Sequence, residues 1–121
     1  MAQNFVSEGD VIPWTNTTSA AVASGQVVAI GHALGVALVA IAIGATGSVA
    51  LEGVFTVPKV SGAVFVQGEK LVWDASAAAF DDSAATPSAG DITGGAIAWA
   101  AGSNGQATAT VKLTPGNADK A

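Results

Sequence analysis

The chain carries a single imidazole, His32, set between Gly31 and Ala33. A Ser-His-Asp relay needs such a base, and its members need not be adjacent in sequence. Flanked by glycine and alanine, however, His32 suits a turn better than a catalytic relay. There is no cysteine, which excludes disulfides, thiolate nucleophiles and Cys-ligated zinc. One histidine with scattered carboxylates is a poor metal set. The one adjacent acidic pair, Asp81-Asp82, lacks the spacing of a calcium loop and is expected on a solvated face. A phosphate-binding P-loop needs Lys followed by Ser or Thr after a glycine-rich turn. Here the four lysines precede Val60, Leu71, Leu113 and Ala121, so that motif is absent. The Gly-His-Ala-Leu-Gly and Gly-Ala-Thr-Gly stretches lack the helix start of a phosphate cradle and read as turns. Asn16-Thr17-Thr18 has the form of a glycosylation sequon. These residues predict no enzyme, no cofactor and no metal.

The three tryptophans are the remaining candidates for recognition. Trp73 and Trp99 lie in alternating segments, which predicts core or interface packing. Trp14 follows Pro13 close to an apolar N-terminal pair, Phe5-Val6, and is the candidate intermolecular contact. Exposed Trp14 or Trp73 could instead stack on sugars, which defines a competing reading as a carbohydrate- or surface-binding module.

The elements that must position these residues follow from composition. The 121 residues carry a net charge of −5, with four lysines, no arginine and 11% charged residues, against about 25% in an ordinary soluble domain. Nucleic-acid binding, which needs cations to neutralise phosphates, is excluded as an expectation. Between Asp10 and Glu52 no residue is formally charged. That stretch contains Val27 to Gly47, long enough to cross a bilayer as a helix. Four glycines interrupt it, no Lys or Arg flanks it, and Val and Ile are abundant, all of which argue for strands instead. No membrane partner is expected. The stretch reads as Gln26–Ile30 and Gly35–Ile43, joined through a His32-Ala33-Leu34 corner.

Val and Ile together outnumber Leu by 21 to 5, and branched side chains favour the pleated sheet. From Val49 to Val57 the odd positions Val49, Leu51, Phe55 and Val57 alternate with Glu52 and Thr56, the period of one half-buried strand. Pro58 should end that strand or lie on an edge. Asp10–Trp14, Gly62–Val66 and Glu69–Asp74 read as shorter strands, with Gly68 turning between the last two. Ala96–Gly102 and Gln106–Leu113 flank Ser103-Asn104-Gly105. A two-residue Asn-Gly loop would pair Ile97 with Lys112, and a three-residue loop would pair Ile97 with Val111 and Trp99 with Ala109. The second register gathers Ile97 and Trp99 on one apolar face and is the one predicted. The fold class is therefore all-β, a compact small β-barrel or β-sandwich. Its expected organisation is a flexible N-terminal arm over residues 1–9 and a single domain over 10–113. An Ala/Ser-rich surface loop is expected at 75–91 and a C-terminal tail at 114–121.

Several blocks resemble a known family. The opening Met1-Ala2-Gln3-Asn4-Phe5-Val6-Ser7-Glu8-Gly9-Asp10 is followed in order by Ser24-Gly25-Gln26-Val27-Val28 and Gly35-Val36-Ala37. The most specific block is Leu51-Glu52-Gly53-Val54-Phe55-Thr56-Val57-Pro58-Lys59, and Gly68-Glu69-Lys70-Leu71-Val72-Trp73-Asp74 matches a Gly-Asp-x-Val-Tyr-Trp-Asp segment with Glu for Asp and Val for Tyr. This series, over residues 1 to about 113, resembles the small capsid cement, or decoration, proteins of tailed phages and prophages. A recombinase-like label sometimes given to that family finds no support in a chain without a P-loop or arginine. The Ala-rich 75–91 segment departs from the family pattern, so no contact is carried over to it. The resemblance implies a structural protein on the outer surface of the virion capsid, made in the host bacterial cytoplasm. Its implied partners are the major capsid protein and further copies of itself, a trimer favoured over a dimer. Asn4, Phe5, Val6, Trp14, Pro58 and Lys59 are the candidate capsid or subunit contacts.

Overall fold

Among the described residues, the abundance of β-branched side chains is realised as ten strands in two antiparallel sheets, with one short 3-10 turn at Pro115–Asn117. A computed structural model describes residues 3–121; Met1 and Ala2 of the expected arm lie outside the described residues. The first sheet holds β1 (Val11–Thr15), β2 (Val27–Ile30), β3 (Ala33–Ala37) and β4 (Thr46–Ala50) in the order β1-β4-β3-β2. The second holds β5 (Val54–Pro58), β6 (Lys70–Asp74), β7 (Ala79–Asp81), β8 (Ile92–Ala98) and β9 (Thr108–Leu113) in the order β5-β9-β8-β6-β7, and β10 (Asp119–Lys120) pairs with β8. The sheets do not close into a barrel; the arrangement is that of a small β-sandwich. No helix among the described residues is long and apolar enough to cross a membrane.

The main core lies between the sheets. Val27, Leu34 and Val36 from the first pack with Val57, Leu71, Trp73, Phe80, Ile92, Val111 and Leu113 from the second. A second cluster, Val22, Val28, Ala37, Ile41 and Val49, covers the other face of the first sheet, with Ile12, Trp14 and Ile30 packed against it. Strands β2 and β3 are thus buried on both faces, as the adjacent buried pair Val27 and Val28 records. A strand covered on both sides reads as a continuous apolar run, not an alternation. This accounts for the absence of charge in β2 and β3.

Several elements differ from the expectations. The β2–β3 corner is tighter, with Gly31 and His32 alone in the turn, and β3 stops at Ala37. Beyond it the chain leaves the sheet so that Ile41 can bridge back to Val22 and cap the second core. The expected strand from Val49 to Val57 is two strands in different sheets, broken at Leu51–Gly53. Val49 and Val57 are buried and Glu52, Val54 and Thr56 exposed, but Ala50 is buried as well and Leu51 and Phe55 are only half-buried. Pro58 both ends β5 and lies on an edge strand. Of Gly62–Val66, only Phe65 pairs, with Gly102. The 75–91 segment contains β7, and Phe80 on it is fully buried against Trp73, ring centroids 4.9 Å apart in an edge-to-face contact. Residues 114–121, expected as a tail, form the 3-10 turn and β10, which pairs with Ile92 and Thr93.

The β8–β9 register is the other one. Ile97 faces Lys112 and Ala98 faces Val111, as a two-residue Asn-Gly loop would give. The inward residues of β8 are Ala96 and Ala98, while Ile97 is half-buried and Trp99 stands 51% exposed. The reason is space. A Cβ on Gly95 would lie 2.8 Å from Leu34 Cδ1, and one on Gly102 would lie 2.5 Å from Phe65 Cζ. Large side chains from opposite segments fill the volume over β8, and only glycine and alanine fit beneath them.

Gly95→Ala is therefore expected to cost about 1–3 kcal/mol through overpacking, measured by urea denaturation. In a Leu34→Ala background, where the obstructing methyls are gone, the same substitution should cost much less, giving a non-additive cycle. Additive costs would show that Leu34 is not what fills this slot.

Candidate docking surface

Three buried polar side chains fix the loops that surround the sandwich. Asn16 is fully buried; its Nδ2 donates to the Ala20 and Ile41 carbonyls at 2.9 and 3.1 Å, and its Oδ1 accepts from the Thr18 N–H and hydroxyl at 3.0 and 2.6 Å. With both ends of its amide engaged, Asn16 is not available to a glycosyl transferase despite its sequon. Asp91 accepts from the N–H groups of Ala75 and Ser88 at 3.0 and 2.9 Å, pinning both arms of the 75–91 segment. Lys59 is 4% exposed, and its ammonium donates to the carbonyls of Val60, Ser61 and Gln106 at 2.8, 3.2 and 3.3 Å. Buried polar groups are tolerated when satisfied in this way.

Two further carboxylates hold turns at the surface. Glu69 accepts from the Ser83 N–H and hydroxyl and from the Val66 N–H. These bonds, the Ser83 N–H first, hold its carboxyl below the ordinary value of 4.5. Asp74 accepts from the Ser76 hydroxyl and from the Ser76 and Ala77 N–H groups. The Ser76 hydroxyl is the foremost cause of a carboxyl held below its usual 3.8.

The candidate contact residues fall into separate places. Asn4, Phe5 and Val6 lie exposed on the arm, with Phe5 at 55% and Val6 at 93% exposure. The arm enters β1, an edge strand, where the Asp10 carbonyl accepts from the Leu51 N–H. Trp14, on the same strand, is half-buried against the second core. Pro58 is exposed at the end of the other sheet's edge strand. It helps line a groove of about 370 Å³ with Gly25, Gln26, Trp73 and Ala78. Lys59 differs from the others in that it is buried, its ammonium turned inward onto three carbonyls. Trp73, a candidate sugar platform, is likewise buried at 6% exposure, with its ring against Phe80.

The exposed apolar surface includes residues the sequence reading did not single out. Val64 and Val66 point outward on either side of buried Phe65, and Trp99 lies on the facing segment, where its carbonyl accepts from Gln67 Nε2 at 3.2 Å. Leu38, Val39 and Ile43 are exposed on the β3–β4 connection. The signal for the first group was present in Val64-Phe65-Val66, a period-two triplet, but which face was inward depended on the distant Gly102. His32 is exposed in its turn. No group of three His, Cys, Asp or Glu residues able to hold a metal ion occurs among the described residues. The arrangement offers apolar contact area, two proline-bearing edge strands and a projecting arm, with polar side chains committed to shaping loops.

Comparison with known proteins agrees with a contact role. A family model described as phage cement protein matches residues 6–113. No curated protein matches the chain significantly.

Because Glu69 and Asp74 are held below their ordinary values, they add stability above the unfolded-state values and lose it as pH falls through the lower folded-state ones. The urea midpoint is expected to drop on acidification from about pH 5 to about pH 3. Glu69→Gln should flatten that drop; an unchanged slope would mean that the Ser83 bonds contribute nothing.

Proposed function

The chain belongs to the phage cement protein family, and from that premise we propose that it attaches to the outer surface of an assembled phage head and stabilises it by bridging neighbouring major capsid protein subunits. The observation that carries this reading is the family match over nearly the whole sandwich, residues 6–113. The surface chemistry supports it. Exposed Val64, Val66, Trp99, Leu38, Val39 and Ile43 supply apolar area, which stabilises a contact by about 25 cal/mol per Å² buried. A surface with few charges avoids the cost of desolvating ions at an interface. The strength of a cement then comes from many identical modest contacts repeated over a closed shell.

In this proposal the arm with Asn4, Phe5 and Val6 is captured on binding, adding to the sheet edge of a neighbouring subunit. Copies act as a small symmetric homo-oligomer, a trimer in preference to a dimer, placed where capsid subunits meet. The protein is made in the host cytoplasm and ends in the virion. The competing reading, a virion surface module that stacks on glycans, would rest on half-buried Trp14. It is separated by Trp14→Ala, which should leave any glycan retention unchanged.

Purified protein added to undecorated capsids is expected to bind saturably at a fixed ratio to capsid subunits, seen by sedimentation; failure to saturate would remove the cement reading. Deleting residues 1–8 should leave the circular dichroism and thermal transition intact while lowering capsid occupancy or oligomer order. Full occupancy with unchanged assembly would exclude the arm from the contact.

A further inference from the structure

Of the four asparagines, only Asn104 precedes glycine. Asn104 is exposed at the tip of the β8–β9 connection, in a turn closed by the Gln106 N–H on the Ser103 carbonyl at 3.2 Å, with Gly105 at φ +92°. In a free chain this dipeptide is the one most prone to spontaneous deamidation, because glycine's missing side chain lets its nitrogen approach the asparagine carbonyl carbon. Here that nitrogen is occupied. The Gly105 N–H donates to the Ser61 carbonyl at 2.6 Å. The same Ser61 carbonyl accepts from Lys59 Nζ, which also reaches the Gln106 carbonyl on the far side of the turn. A buried ammonium thus ties the 59–62 and 103–106 turns together around the reacting atom.

We propose that Asn104 is a latent modification site, kept as asparagine by the Lys59 clamp and converted to an aspartyl or isoaspartyl residue when the clamp opens. In the reaction, Gly105 N loses its proton to solvent base and attacks Asn104 Cγ. The Cγ–Nδ2 bond breaks and ammonia leaves, giving a cyclic imide. Water then opens the imide at either carbonyl. The product places a carboxylate where residues 60–67 and 92–111 carry no charge at all, beside the apolar Val64, Val66 and Trp99 surface. Lys59 acts here as a positioning residue. Its effect is to hold the Ser61 carbonyl on the Gly105 N–H, which limits the turn's freedom to reach the attack geometry.

The test is incubation of the intact chain at mildly alkaline pH, with the peptide containing residue 104 followed by mass spectrometry. Deamidation of the folded protein is expected at least about tenfold slower than in urea, as for a site that reacts only through local opening. Lys59→Met should raise the folded-state rate towards the unfolded one while other asparagines stay unmodified. Equal rates in the folded and unfolded chain, or no deamidation of the unfolded chain, would overturn the proposal. If Lys59→Met does not fold, amide hydrogen exchange of the unaltered protein decides: Gly105 N–H should be protected, and exchange at the rate of a free amide would refute the clamp.

Discussion

The packing of the sandwich depends on how closely Leu34 of the first sheet approaches β8 and Phe65 approaches Gly102 just beyond it. A Cβ on Gly95 would meet Leu34 and one on Gly102 would meet Phe65, while Ala96 and Ala98 are the buried side chains of β8. Dense interiors leave no room for a methyl group beneath these side chains. That single constraint sets the β8–β9 register, turns Ile97 and Trp99 away from the core, and determines which apolar residues remain for a partner. The abundance of alanine and glycine is a packing solution in which one surface is kept thin so that another can be bulky.

A second consequence is the division of labour between apolar and polar groups. Strands β2 and β3 are sandwiched between two apolar clusters, so that region holds no charge. The few polar side chains taken inside are each satisfied by backbone groups of loops: Asn16 by Ala20, Ile41 and Thr18, Asp91 by Ala75 and Ser88, and Lys59 by Val60, Ser61 and Gln106. The polar atoms of these hubs are committed to the protein's own loops. They fix connections that would otherwise cost conformational entropy to hold in place.

Local pattern made much of this legible in the sequence. β-Branched bias identified the all-β class, and strand and turn signals placed β1, β2 and β6 within about a residue. The single strand read from Val49 to Val57 is divided between the two sheets, because the turn at Leu51–Gly53 carries no strong local break signal. What was not legible depended on contacts distant in sequence. The Asn-Gly connection admitted two registers, and size favoured burying Ile97 and Trp99; only the presence of Leu34 and Phe65 overhead reverses that choice. The Ala/Ser-rich 75–91 segment has weak local propensity, yet Phe80 anchors β7 beneath Trp73. Residues 114–121 show no strand signal, and β10 forms beside Ile92 and Thr93, the start of β8 that the β9 pairing at Ala96–Ala98 leaves free. Lysine is almost never fully buried, and no local signal marks Lys59 of the candidate contact set as inward; its three carbonyl acceptors come from two turns separated by more than forty residues.

As proposed, this sandwich is an adhesive for a phage head, acting through apolar surface and an arm. A cryo-EM reconstruction of the intact particle is the most direct test. Copies are expected in symmetric clusters over the junctions between capsid subunits, with Phe5 and Val6 buried against a neighbour. A shell without this chain, or copies confined to the tail, would contradict it.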